Sequence, residues 1–180
     1  GGHEGDPRGR RAAHGGLSPY IPAMPVFERS TEIAAPIEDV FAFHLDTRNV
    51  PLITPPAQQV TEIEGSFPLV VGAIVDMKVR QSPVPTAQPW RIRIVAIEEP
   101  TLVVDELIDN AAFDRFVHTH RFAPTADGGT LLTDHIDWEM RSGPAKAMYT
   151  SMAKGILERT FTGRQERTRD LLAARARGEA

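Results

Sequence analysis

Apolar and polar positions alternate with a period of two over several stretches, and each such stretch predicts a strand with one dry and one wet face. "PVFERSTEI" (25–33) puts Phe27, Thr31 and Ile33 on one face, together with Arg29. "GAIVDMKVRQ" sets Ala73, Val75, Met77 and Val79 against Asp76, Lys78 and Arg80. "PWRIRIVAIEE" sets Trp90, Ile92, Ile94 and Ala96 against Arg91 and Arg93. "QVTEIEG" reads as a shorter strand, and "TLVVDELID" as a more apolar one whose facing is ambiguous. "FDRFVHTHRFAP" and "GTLLTDHIDWEM" flank the turn "TADGG", a strong hairpin signal.

Two regions change to a helical period. In "AAPIEDVFAFHLD", Pro36 stands at a helix start and Glu38 and Asp39 in its first turn. Ile37, Val40, Phe41 and His44 then follow at helical spacing. Asp46 and Asn49 are placed to cap the turn into a second short piece, "NVPLI". Gly143 and Pro144 open a long helical stretch to about Ala174, with Met148, Met152, Ile156, Thr160 and Gly163 on one stripe and Leu157, Phe161, Leu171 and Leu172 beside it. The order predicts an α+β fold. A curved antiparallel sheet of about six to seven strands wraps around one long C-terminal helix, and two short helices follow the first strand.

Residues 1–23 lack this periodicity. They are rich in Gly, Arg, Ala and Pro, which predicts a disordered tail ahead of one domain over 24–176. Met24 is a candidate natural start, with the preceding residues an added extension or a basic interaction arm. At 180 residues the chain is long enough for one sizeable core. The net charge of −4 gives no reason to expect nucleic acid as a partner. With no cysteine, disulfides, thiolate chemistry and sulfur-ligated zinc are excluded. No apolar run reaches the roughly 20 residues of a membrane span, and no signal-peptide pattern is seen, so the expected location is the cytoplasm.

Pairing the strands around "TADGG" puts the chemistry in one place. If Phe122 lies opposite Leu132, His120 faces Asp134, His118 faces Ile136 and Phe116 faces Trp138, all on one face. A slip of one residue would replace Asp134 by His135. The first register is preferred because it buries Ile136 and Trp138 and leaves Asp137 and Glu139 wet. Asp105, on the preceding strand, can come alongside either histidine. The dry face then carries a polar island of His118, His120, Asp134 and Asp105. It sits in an apolar tube of Val75, Met77, Trp90, Ile92, Phe116, Phe122, Ile136, Trp138, Met148, Met152 and Ile156.

Four chemistries suit such an island. His120 and Asp134 can satisfy each other in a core, because a buried polar group needs a partner. The island can anchor a ligand at the end of an apolar pocket. His-x-His with a carboxylate can form a two-histidine, one-carboxylate metal site. A His–Asp pair, drawn from His118, His120 and Asp134, can move protons as a general acid–base. His44 is expected to be partly buried and bonded to backbone, or else to serve as a ligand; Arg29 to sit at a sheet edge with its head in water, or else at a charged cavity mouth; and Arg159 to be solvated. Arg164 is either solvated or at the cavity rim. No Ser-His-Asp spacing, phosphate loop or specific metal motif is present, and neither a metal nor a nucleotide cofactor is expected.

The stretches "FERSTEIAAPIEDVFAFHLDTRNVPLITPP", "FVHTHRFAPTADGGTLLTDHIDWEM" and "ILERTFTGRQERTRDLL", in this order, resemble the START-like (SRPBCC, helix-grip) superfamily, which includes birch-pollen-allergen-like and polyketide-cyclase-like proteins. H-x-H-x-F followed by G-T-x-L-T-D is similar to a bacterial ligand-binding or cyclase/dehydrase-like branch. The resemblance spans about residues 25 to 174. It implies a helix-grip fold with a deep apolar cavity between sheet and C-terminal helix. The superfamily has no universal catalytic set, so no activity carries over. The expected function is binding, transport or sequestration of a small hydrophobic molecule such as a lipid, polyketide or aromatic metabolite. The alternatives are a cyclase or dehydratase using a His–Asp pair and a chaperone-like or regulatory protein-binding module. A homodimer is left open.

Overall fold

A computed structural model describes residues 25–82 and 84–179. The expected tail, residues 1–23, lies outside the described residues. The elements run β1 (Val26–Ile33), α1 (Ile37–His44), a 3-10 turn (Thr47–Asn49), α2 (Val50–Ile53), β2 (Gln58–Glu64), β3 (Ile74–Gln81), β4 (Gln88–Glu98), β5 (Leu102–Ile108), β6 (Phe113–Pro124), β7 (Thr130–Met140) and α3 (Lys146–Ala176). The strands form one open antiparallel sheet of seven, in the order β1-β7-β6-β5-β4-β3-β2. This is the helix-grip α+β arrangement, with its curved sheet around α3 and short helices after β1.

Local chemistry accounts for the short elements. Pro36 precedes α1, and Glu38 and Asp39 sit at the positive end of its dipole. Val40, Phe41 and Phe43 are buried, so the inward stripe of α1 is wider than the period alone suggested. The Asp46 carboxylate accepts the Arg48 amide and caps the 3-10 turn. Asn49 does not cap; its side chain donates to the Phe43 carbonyl instead. Between β6 and β7, Gly128 adopts φ of +84°, which suits glycine. A Cβ at Gly129 would lie 2.7 Å from the Ile33 carbonyl oxygen, so only glycine lets β1 approach that turn.

The β6–β7 register is Phe116↔Trp138, His118↔Ile136, His120↔Asp134 and Phe122↔Leu132, the preferred expectation. It keeps His135 on the outer face, where its Nδ1 bonds Glu28 Oε2 at 2.7 Å. The ambiguous β5 resolves with Val103 buried and Asp105 opposite His118. A bulge in β4 between Ile94 and Ala96 advances the inward face by one residue. Ile97, rather than Ala96, therefore packs on the core.

The core has three parts. Phe41, Phe43, Phe122 and Leu132 pack under α1; Val60, Leu69, Val75 and Ile94 fill the β2–β4 side; Phe116, Ile136, Trp138, Leu157 and Phe161 lie between α3 and the sheet. The buried stripe of α3 is Leu157, Thr160, Phe161, Gln165, Thr168 and Leu172. The expected methionine stripe is corrected: Met148 and Met152 are 54% and 57% exposed. The rotation follows from Leu157 and Phe161, whose bulk packs best against Ile136 and Trp138. Among the described residues no helix is long and apolar enough to cross a membrane.

Candidate functional site

Between α3 and the β3–β6 half of the sheet lies a cavity of about 410 Å³. Its wall is largely apolar and aromatic. Trp90, Phe113 and Phe116 meet edge to face with ring centroids 5.2–6.0 Å apart. Tyr149, Met152 and Val84, each between 44% and 57% exposed, form a rim that opens to solvent. His118, His120, Asp105, His44 and Arg164 also line it.

Of the residues expected to line the tube, Met77, Trp90, Ile92, Asp105, Phe116, His118, His120, Met152 and Ile156 do so. Val75, Phe122, Asp134, Ile136, Trp138 and Met148 do not. Ile136 and Trp138 are roofed by Leu157 and Phe161, Phe122 packs against Phe41, and Val75 is sealed by the β2–β4 core. Met148 points outward from the first turn of α3. Asp134 lies one layer behind the two histidines.

That layer organises the polar island. Asp134 Oδ1 accepts from His118 Nε2 at 3.0 Å, and Asp134 Oδ2 accepts from Gln165 Nε2 at 2.7 Å. His120 Nδ1 is 2.7 Å from Asp134 Oδ1, but off the line of its N–H, so it makes no well-formed hydrogen bond. The expectation that Asp134 serves His120 alone is thus revised: one carboxylate holds both rings, whose centroids are 3.9 Å apart. Their other nitrogens turn toward Asp105 Oδ2, 3.8 Å from His118 Nδ1 and 4.0 Å from His120 Nε2. Gln165 was missed from sequence. It stands four residues after Phe161 on the buried stripe of α3, and a polar residue in that position is the signal that marks it. The remaining residues fall where expected or at one of the stated alternatives. His44 Nδ1 donates to the Val40 carbonyl at 2.7 Å. Arg29 and Arg159 are exposed, and Arg164 lines the cavity with its guanidinium 5.0 Å above the Phe161 ring.

Burial sets the protonation states. It lowers His44 from 6.5 to about 3, with the His120 charge adding to the effect. It also lowers His118 and His120, against the pull of Asp134. Burial raises Asp105 from 3.8 to about 6. Burial alone would raise Asp134 too, but the hydrogen bond from His118 and the close His120 imidazole hold it well below its ordinary range. Arg164 is lowered by desolvation, opposed by Asp134 and Asp105.

A pH dependence of stability follows. As pH falls through 6.5 the unfolded chain protonates His44, His118 and His120, while the folded protein resists. The unfolded state then binds more protons, so stability falls with pH. Asp105 acts oppositely, because its folded carboxyl protonates near 6. Three imidazoles outweigh one carboxyl, so Tm is expected to drop between about pH 7 and about pH 5. Melts with a chelator present test this, and a flat profile would contradict the assignment.

The comparisons agree with this architecture. The aromatase/cyclase Zhui from Streptomyces sp. R1128 superposes with a TM-score of 0.71 at 16% identity, covering 84% of this chain and 95% of that one. The di-domain ARO/CYC StfQ of the steffimycin biosynthetic pathway gives 0.68 at 16% identity, over 84% of this chain; the match spans 51% of that protein, about half its length. A point mutant of norcoclaurine synthase from Thalictrum flavum, in complex with a transition-state analogue, gives 0.60 at 14% identity, over 84% and 96%. At these identities the likeness shows the fold. No curated protein matches. The model of the family "polyketide cyclase / dehydrase and lipid transport" matches residues 24–177, and the chain belongs to that family.

Proposed function

We propose that the chain binds a small, mainly apolar molecule with one anionic or strongly polar oxygen end. The observation that carries this is the cavity of about 410 Å³, apolar along its wall and ending in Arg164 and the Asp105–His118–His120 cluster. Its size falls within the roughly 300–1,000 Å³ of small-molecule sites. Among the described residues no carboxylate comes within ion-pair distance of Arg164, so a half-buried guanidinium faces the cavity without a formed salt bridge. Such a group favours an anion from the ligand. Trp90, Phe113 and Phe116 offer ring edges and faces to an aromatic or polyene body. Family membership supports a hydrophobic-ligand or cyclase role.

The Asp105 carboxyl beside two neutral imidazoles favours a second reading, proton transfer to and from a bound carbonyl compound in a cyclisation or dehydration. The binding step is tested first. Native mass spectrometry of purified protein should show a co-purified small molecule, and 2-naphthoate should saturate and quench Trp90. Arg164→Met is expected to weaken 2-naphthoate by about 10–100-fold while leaving methyl 2-naphthoate within about twofold. Equal losses for both probes would remove Arg164 from the reading. No saturable uptake of either would defeat the binding proposal and favour a protein-binding module.

A further inference from the structure

We propose that Asp105, His118 and His120 form a binding site for one divalent transition-metal ion of the zinc or iron(II) class, at the inner end of the cavity. The register supplies what the sequence left open. Asp105 stands directly opposite His118 across β5 and β6, so the carboxylate and both imidazoles share one face. One donor atom from each residue lies within 4.8 Å of the other two. Asp105 Oδ2 is 3.8 Å from His118 Nδ1 and 4.0 Å from His120 Nε2. The centre of such a triangle is about 2.2–2.5 Å from its corners, and a shift of a few tenths of an ångström gives the bonds of about 2.0–2.2 Å that zinc makes to nitrogen and oxygen.

The second layer points the same way. Asp134 Oδ1 faces His118 Nε2 and His120 Nδ1, so the ring hydrogens belong on that side. In the neutral rings the nitrogens facing Asp105 then carry bare lone pairs. Two lone pairs aimed at a carboxylate, each about 4 Å away, form a ring of acceptors that a cation between them would satisfy. A carboxylate behind two histidines is also the usual way to fix the tautomer and orientation of metal-bound imidazoles. Gln165 in turn holds Asp134 from α3. Charge is compatible: a divalent ion and Arg164 against Asp105 and Asp134 leave one net positive charge at the cavity end. An anionic oxygen from a bound molecule, or hydroxide, would fill the open coordination position.

The proposal does not depend on the ligand reading above, and its test separates the two. The full chain, purified without a polyhistidine tag and treated with EDTA, is titrated with Co²⁺. One equivalent is expected to give visible d–d bands of a four- or five-coordinate site, which zinc then abolishes. Asp105→Asn is expected to weaken Co²⁺ at least 100-fold, and Asp134→Asn, acting through ring orientation, about 10–100-fold. The double variant His3→Ala/His14→Ala removes the histidines of the N-terminal segment and should bind as wild type does. Absence of d–d bands in wild type, or bands unchanged in a folded Asp105→Asn, would overturn the site. If Asp105→Asn fails to fold, the thermal midpoint decides: zinc should raise that of wild type, and no rise overturns the proposal. Uptake of 2-naphthoate by the EDTA-treated protein is measured in parallel, so loss of one reading leaves the other testable.

Discussion

Asp134→Ala is expected to cost about 3–5 kcal/mol of unfolding free energy, the range for breaking a buried charged network by removing one partner. The carboxylate is 4% exposed and receives His118 Nε2 and Gln165 Nε2, with His120 Nδ1 at 2.7 Å. Truncation leaves the His118 and His120 rings buried without their acceptor and takes one of two partners from Gln165 Nε2, which keeps the Arg29 carbonyl; each buried donor left unpaired carries a desolvation cost of about 1–3 kcal/mol. Urea denaturation near neutral pH measures the loss. Asp134→Asn keeps the shape and one acceptor and should lose less. A loss under about 1 kcal/mol for Asp134→Ala would show that water or a rotated side chain already serves the rings. Both His118→Ala and His120→Ala should then also lose stability, because each ring contacts the same carboxylate.

Trp138→Ala should be as damaging, by about 3–5 kcal/mol, while Trp90→Ala should cost less than half of that. The residue type is the same and the surroundings differ. Trp138 is 1% exposed and enclosed by Phe116, Ile136, Leu157 and Phe161, so its removal opens a new void. Trp90 already borders the cavity, and truncation there enlarges an existing space. The same pair separates the fluorescence signals. Trp138→Ala, if folded, should keep the quenching by 2-naphthoate, and Trp90→Ala should lose most of it. Equal stability losses would mean that the cavity wall is packed as tightly as the core.

Period and turn chemistry made most of the fold legible. The alternation in β3, β4 and β7, the "TADGG" turn and the burial of Ile136 with Trp138 were enough to set the β6–β7 register residue by residue. The misplaced features have local causes. A bulge cannot be seen in an apolar run, so Ala96 was placed on the dry face where Ile97 packs instead. The phase of α3 depends on which side chains fit the sheet, and Met148, Met152 and Ile156 looked as apolar as Leu157 and Phe161 did. For the site, the grouping of His118, His120 and Asp134 could be read from the β6–β7 pairing, while the place of Asp105 stayed open because no turn signal fixes the register of β5. Which members face the cavity could not be, because it depends on where α3 lies over β1 and β7. Gln165 escaped because the helix was read for its apolar stripe alone.

The pairing of β1 with β7 has a consequence for biosynthesis. Residues 26–33 zip against 130–137, so the first strand made must wait for the last. About a hundred residues of translation separate them, some 5–20 s at ribosomal rates of about 5–20 residues per second. During that interval β2 to β6 can assemble as consecutive hairpins, while β1 hangs as an unpaired strand with Phe27 and Ile33 exposed. Within this fold β1 is therefore the strand most open to chaperone capture or proteolysis during synthesis. A stalled intermediate truncated before Thr130 should be cleaved in β1 by a dilute protease that leaves β3 to β5 intact.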